Sequence, residues 1–185
     1  MTLDHAAFTA MRRATAEDYE VIVRHEREFV AGLPDRILAG IGALSGSSAG
    51  YAVSRLEHSL QSASRAERDG RSDEYVAACL VHDMGDFLAP YHHGALAAAI
   101  LNGFVPEELV WIVEHHPVFQ LYYYGQFVGA DPDSRERYRG HRWFDATVEF
   151  CENYDENCFD PTYESFPLEH FAPLVHRIFS REPSS

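Results

Sequence analysis

The chain contains no lysine; every basic residue other than histidine is arginine. That absence excludes any chemistry built on a lysine amine, such as Schiff-base formation. Positive charge is scarce altogether: 15 Arg stand against 29 Asp and Glu, for a formal net charge of -14. Nucleic acids and anionic membranes are held by clustered Lys and Arg, so neither is an expected partner. The bland account of the acidity is solubility. No apolar stretch approaches the roughly 18 residues of a membrane span. The segment Met1 to Arg13 mixes Asp, His and Arg with apolar residues and lacks the continuous apolar run of a secretory signal. The three cysteines, Cys79, Cys151 and Cys158, are an odd number without metal-site spacing. They read as reduced, mostly buried thiols in a cytoplasmic protein.

What is abundant is histidine, with 11 copies, and histidine is the commonest transition-metal ligand. At 185 residues and 46% apolar content, the chain suits one globular domain. We divide it into an N-terminal helical extension, residues 1–50, and a main body, residues 51–185. No convincing alternation of apolar and polar residues marks a strand, so the expected fold is all-α.

Asp18–Ala31 carries a loose apolar stripe at helical spacing. Gly46-Ser47-Ser48-Ala49-Gly50 is a loop by turn chemistry. Val53, Leu56, Leu60, Ala63 and Ala66 recur at three- and four-residue steps, predicting a helix that ends at Asp69-Gly70. Ser72, Asp73 and Glu74 open the next, which runs to His82-Asp83. A further helix is expected over about His93–Asn102, stopping at Gly103. Pro106-Glu107-Glu108 begins another, which reaches His116 and should be stopped by Pro117. Gly125–Gly140 reads as a polar excursion. Helical spacing returns over Trp143–Tyr154 and again in a short segment after Pro167.

His82-Asp83 is the centre of the chemical argument. An adjacent imidazole and carboxylate at a helix end can serve one site, and a carboxylate can bridge two cations. The dipeptide alone is weak, and its company gives it weight. His58, His93, His116 and Asp155 each fall on the apolar face or at the end of a predicted helix. Four imidazoles and two carboxylates suit Fe, Mn, Co or Zn. Taken singly, each has a simpler account. His58 could be a hydrogen-bonded core residue, Asp155 a solvated helix-end acid, and His92 and His115 compete with their neighbours.

The strings Leu56-Glu57-His58-Ser59-Leu60-Gln61 and Leu80-Val81-His82-Asp83-Met84-Gly85 resemble the HD-domain superfamily. More narrowly, they resemble its mixed-valent diiron oxygenases, a group that includes enzymes cleaving organophosphonate carbon–phosphorus bonds and, more distantly, myo-inositol oxygenase. His58 with Gln61 matches the His-x-x-Gln of those oxygenases. The likeness spans about Tyr51–Glu156 and is weak between His116 and Asp155. It implies a helical bundle around a dinuclear site of two iron ions, Fe(II)/Fe(III), with Mn or another divalent metal as a substitute. His58, His82, Asp83 and Asp155 would hold one metal; Asp83, His93 and His116 would hold the other. Asp83, Gln61 and Tyr51 would be the catalytic residues. The implied reaction uses O2 to abstract hydrogen from, and oxidatively cleave, a small polar metabolite.

The sequence departs from that pattern at several points. Asp86 stands where many relatives have Lys, and Phe119, Gln120 and Leu121 stand where phosphonate-cleaving relatives have basic residues. Asp86, with Tyr122, Tyr123, Tyr124 and Phe119, suits a cationic or apolar group, with Gln120 a further candidate contact, and the expected substrate bears an amine or quaternary ammonium. The competing function is an HD phosphohydrolase acting on a phosphate ester or nucleotide. The expected partners are a small-molecule substrate and O2, with a homodimer as the assembly to test.

Overall fold

The computed structural model describes residues 4–184. The protein is all-helical, with eight α-helices and no strand among the described residues. Two helices form from the first fifty residues, α1 (Ala16–Ala31) and α2 (Leu33–Ala43). The remainder supplies α3 (Arg55–Arg68), α4 (Asp73–Val81), α5 (His93–Leu101), α6 (Glu107–Val128), α7 (Phe144–Tyr154) and α8 (Leu168–Phe179).

The sequence signals act locally as expected in the centre of the chain. Ser54 accepts from the Glu57 backbone N–H at 3.1 Å and caps α3. Ser72 does the same for α4 through Tyr75 at 3.2 Å. Between the two helices Gly70 takes φ +72, a left-handed turn that costs a glycine little. The helix α4 lies at the middle of the molecule, with every residue from Val76 to Val81 buried. Alanines at its contact with α3 (Ala63, Ala66, Ala77 and Ala78) let the two helices approach closely. The pairs α5·α6 and α6·α7 complete the bundle around it. From the N-terminal segment, α2 packs on α8 and contributes Ile37 and Ile41 to the same core.

Two expectations are corrected, those on Pro117 and on the start of the Gly125–Gly140 excursion, and the stripe on α1 finds its place. The stripe on α1 does not face the core: Tyr19, Val23, Phe29 and Val30 are exposed, and only Asp18 and Val21 are buried. The helix is tied down at its start by polar bonds instead. The Asp18 carboxylate accepts from the backbone N–H groups of Ala7 (2.7 Å) and Thr15 (2.9 Å). These bonds hold its pKa below the ordinary carboxylate value.

Pro117 does not stop α6, which continues for eleven residues to Val128, absorbing the first part of the expected excursion. Proline has no N–H for the Val113 carbonyl one turn earlier. That carbonyl is satisfied by the ring of His116, whose Nδ1 donates to it at 2.6 Å. The helix therefore passes the proline without a buried orphan acceptor. It ends at Gly129, φ +74. The rest of the excursion contains a 3-10 turn, Ser134–Tyr138.

Candidate metal centre

Four helix ends and one helix face meet at a single cluster. His58 comes from the first turn of α3, His82 and Asp83 from the end of α4, and His93 from the first residue of α5. His116 comes from the middle of α6 and Asp155 from the end of α7. The structure brings all six together. Asp83 divides its carboxylate between two groups of imidazoles. Its Oδ2 lies 3.4 Å from His58 Nε2 and 3.6 Å from His82 Nε2. Its Oδ1 lies 3.2 Å from His116 Nε2 and 3.5 Å from His93 Nε2. Asp155 Oδ1 joins the first group, 3.3 Å from His58 Nε2 and 3.7 Å from His82 Nε2.

The competing histidines go elsewhere. His92 precedes α5 and is exposed. His115 stacks on Trp111, with ring centroids 4.2 Å apart.

Each imidazole is oriented by a backbone carbonyl at its Nδ1. His82 donates to Cys79 (2.7 Å), His116 to Val113 (2.6 Å), His93 to Pro90 (3.3 Å) and His58 to Cys158 (3.1 Å). A carbonyl only accepts, so Nδ1 carries the hydrogen and each neutral ring turns a lone pair inward from Nε2. The centre then holds four inward lone pairs and two carboxylates, with no hydrogen-bond donor among them. His58 Nε2 and His82 Nε2 lie only 3.1 Å apart, and the buried Asp155 Oδ2 has no hydrogen-bond partner among the described residues. Such a set is repulsive unless a cation occupies it. Nitrogen and oxygen donors with backbone-fixed tautomers fit a first-row transition metal.

The titration pattern has the same cause. Burial disfavours a proton on His82, but the carboxylates of Asp83 and Asp155 overcome it and raise its pKa to about 9. At His116 burial prevails and the pKa falls. Burial would also raise both carboxyls, yet His82, His58 and His116 drive Asp83 well down, and His58 and His82 lower Asp155. Without a metal, the cluster holds a proton in its place.

Beside the cluster lies a cavity of about 430 Å³, a volume suited to a small molecule. His93 is the most solvent-accessible of the four imidazoles, and His82 does not reach the cavity at all. Gln120 lines it, one turn beyond His116. Tyr51 lines its mouth and stacks on Phe159 (4.6 Å), which in turn stacks on His58 (4.4 Å).

Three predicted roles do not match the geometry. Gln61 offers nothing to the cavity. It is fully buried, its Nε2 donates to the Asp160 carbonyl at 2.8 Å and its Oε1 accepts from the Asp160 N–H at 3.3 Å. It clamps the loop after α7. Tyr122 faces away under the guanidinium of Arg135 (3.6 Å), and Phe119 is core. The helical period from His116 selects Gln120, Tyr123 and Tyr124 for the cavity wall instead. Asp86 does line the cavity, but its carboxylate is engaged by Arg55 and by His93 Nδ1 (3.2 Å), so it is no open receptor for an ammonium group. Arg55, Glu156 and Phe159 were missed. Arg55 was legible, three residues before His58 on the same helix face. Phe159 sits in a loop with no local signal.

The all-helical bundle thus brings its helix ends to a His4Asp2 cluster that could hold metal beside a cavity of small-molecule size. No protein-family model matches the chain. A [1-hydroxy-2-(trimethylamino)ethyl]phosphonate dioxygenase (glycine-betaine-forming) from Leisingera caerulea is similar to it, with 25% identity over 161 residues, covering 71% of this chain and 82% of the relative. The similarity relates the chain to an oxygenase. Among the described residues, no helix is long and apolar enough to cross a membrane.

Proposed function

We propose that the protein is a dinuclear non-haem iron oxygenase of the HD type, which uses O2 to oxidise and cleave a small polar substrate. The observation that carries this is the divided Asp83 carboxylate, with each oxygen facing its own pair of inward Nε2 atoms. One iron would be held by His58, His82, Asp83 and Asp155, and the other by Asp83, His93 and His116. Bound iron would bind and activate O2, with the oxidised substrate bonds supplying the electrons that reduce it. The distant dioxygenase relative supports this chemistry over others that a dinuclear site allows.

The chain's own residues define the substrate's surroundings. Tyr51 and Phe159 cover His58 with stacked rings and keep bulk water from that side. Tyr123, Tyr124 and Gln120 form a second wall along α6. Glu156 lines the same cavity and makes no ion pair among the described residues. An acid among aromatic rings suits an ammonium group through charge and cation–π contact, which gives Glu156 the role first assigned to Asp86. Together with the relative's substrate, these features support an ammonium-bearing phosphonate as the compound class to try first.

The test is to load the purified chain with Fe(II) anaerobically, admit limited O2, and record EPR spectra and O2 uptake. We expect a mixed-valent signal, and uptake stimulated by quaternary-ammonium phosphonates. Iron-loaded protein with neither response to any such compound would overturn the proposal. The guanidinium of Arg55 in the cavity also favours a phosphohydrolase. Phosphate release from a nucleotide panel by manganese-loaded protein, lost in Asp83→Ala, would select that reading instead.

A further inference from the structure

We propose that Arg55 receives the anionic group of the substrate, and that Asp86 occupies its guanidinium until the substrate displaces it. This deepens the reading of the same cavity as a small-substrate site and rests on it.

Arg55 opens α3 one helical turn before His58, so the two side chains leave the same helix face. Arg55 lines the cavity, and no other arginine among the described residues does so. The side chain remains 29% exposed, whereas that of its partner Asp86 is 8% exposed. Asp86 is also the more constrained of the two. One carboxylate oxygen faces Arg55, while the other lies 3.2 Å from His93 Nδ1. Arg55 meets Asp86 through Nη1 and has no other ion-pair partner among the described residues. A guanidinium has five N–H donors in a planar fork, matched to two oxygens of a phosphonate or carboxylate. One carboxylate cannot use all five donors, and the side chain lies on the cavity wall.

The charge balance points the same way. Asp83, Asp155, Asp86 and Glu156 all line the cavity, with Arg55 their one guanidinium counterion. Metal cations at the cluster would offset the first two carboxylates and leave Arg55 as the fixed positive group away from the metals. An incoming anion then competes with Asp86 for the fork, and Asp86 stays beside His93 Nδ1.

The experiment measures binding of methylphosphonate to the metal-loaded chain by calorimetry, with tetramethylammonium as the comparison probe and metal content checked for each variant. For Arg55→Gln we expect the methylphosphonate Kd to rise about tenfold or more, as loss of a charge-assisted pair predicts. Tetramethylammonium binding and metal content should be unchanged. Arg55→Lys, which keeps the charge without the fork, should fall between. Asp86→Asn gives the decisive sign: removing the competing carboxylate should tighten methylphosphonate binding. An unaltered Kd in Arg55→Gln, or weaker binding in an Asp86→Asn protein that retains its metals, would overturn the proposal and make the pair a strut for His93. Because no step uses O2, a failure of the oxygenase reading would leave these binding results standing, and the two failures can be told apart.

Discussion

Asp83 is the one side chain that both halves of the cluster share, with each carboxylate oxygen facing a different pair of imidazoles. On the proposed dinuclear reading, removing it should cost both metals, whereas removing His93 should cost one. We expect Asp83→Ala to bind little iron, and His93→Ala to keep about half of the wild-type content, read by elemental analysis. The proton on His82 gives a second prediction at this scale. Its pKa is raised from 6.5 to about 9 by Asp83 and Asp155 against the effect of burial. Metal must displace that proton, so metal affinity should fall as pH falls below about 9, roughly tenfold per unit while one proton is released. Competition with a chromophoric chelator across that range would show it. For the metal-free protein the sign is opposite. A raised histidine pKa stabilises the fold fully below 6.5 and loses that contribution as pH rises through about 9. Thermal melts of apoprotein should therefore be higher at pH 6.5 than at pH 9.

Whole helices reach the site because particular residues let their ends come close. Three of the four imidazoles share one local device: His82, His93 and His116 each bond the carbonyl three residues earlier. For His82 that carbonyl lies at the end of α4, where helical partners run out. For His116 it is released by Pro117. Pro117→Ala would restore an N–H that competes for the Val113 carbonyl and would free the ring. We expect apoprotein stability to be equal or higher, since a helical bond is regained, but metal affinity to drop about tenfold. Urea unfolding and chelator competition would separate the two effects. Glycines set the contact of α5 with its neighbours. A Cβ on Gly85 would fall 2.2 Å from the His93 carbonyl oxygen, and one on Gly94 would fall 2.8 Å from that of Val113. Gly85→Ala must push the start of α5 away. We expect it to cost about 2 kcal/mol in unfolding free energy and to release the metal on the His93 side, measured by denaturation and metal content.

For the molecule as a whole, the decisive connection runs between α3 and the segment after α7, a hundred residues away. His58 Nδ1 is held by Cys158, Gln61 grips the Asp160 backbone at both its polar groups, and Phe159 lies on His58 between these two anchors. Gln61→Leu leaves a buried N–H and C=O unpaired and should destabilise the protein by about 2 kcal/mol. Urea titration should show that loss with metal content retained. Unchanged stability with lost turnover would instead restore Gln61 to the chemistry.

The helices from α3 to α5 were legible in the sequence because each depends on contacts within a turn or two; the six residues of the cluster were picked out by helix position and, for His93, His116 and Asp155 over their neighbours, by resemblance to a family. Apolar spacing, Ser and Gly at helix ends, and the i−3 carbonyls of three histidines are local facts of the chain. The roles of Gln61, Tyr122 and Asp86 were not legible, because each depends on what a distant segment brings beside it. The Asp160 backbone occupies Gln61, Arg135 covers Tyr122, and Arg55 with His93 takes up Asp86. Sequence alone thus determined which side chains the helices carry to their ends. Only the tertiary structure decided which of those side chains were already satisfied and which face an open cavity, because a polar group is free to act only where no other part of the chain has bonded it.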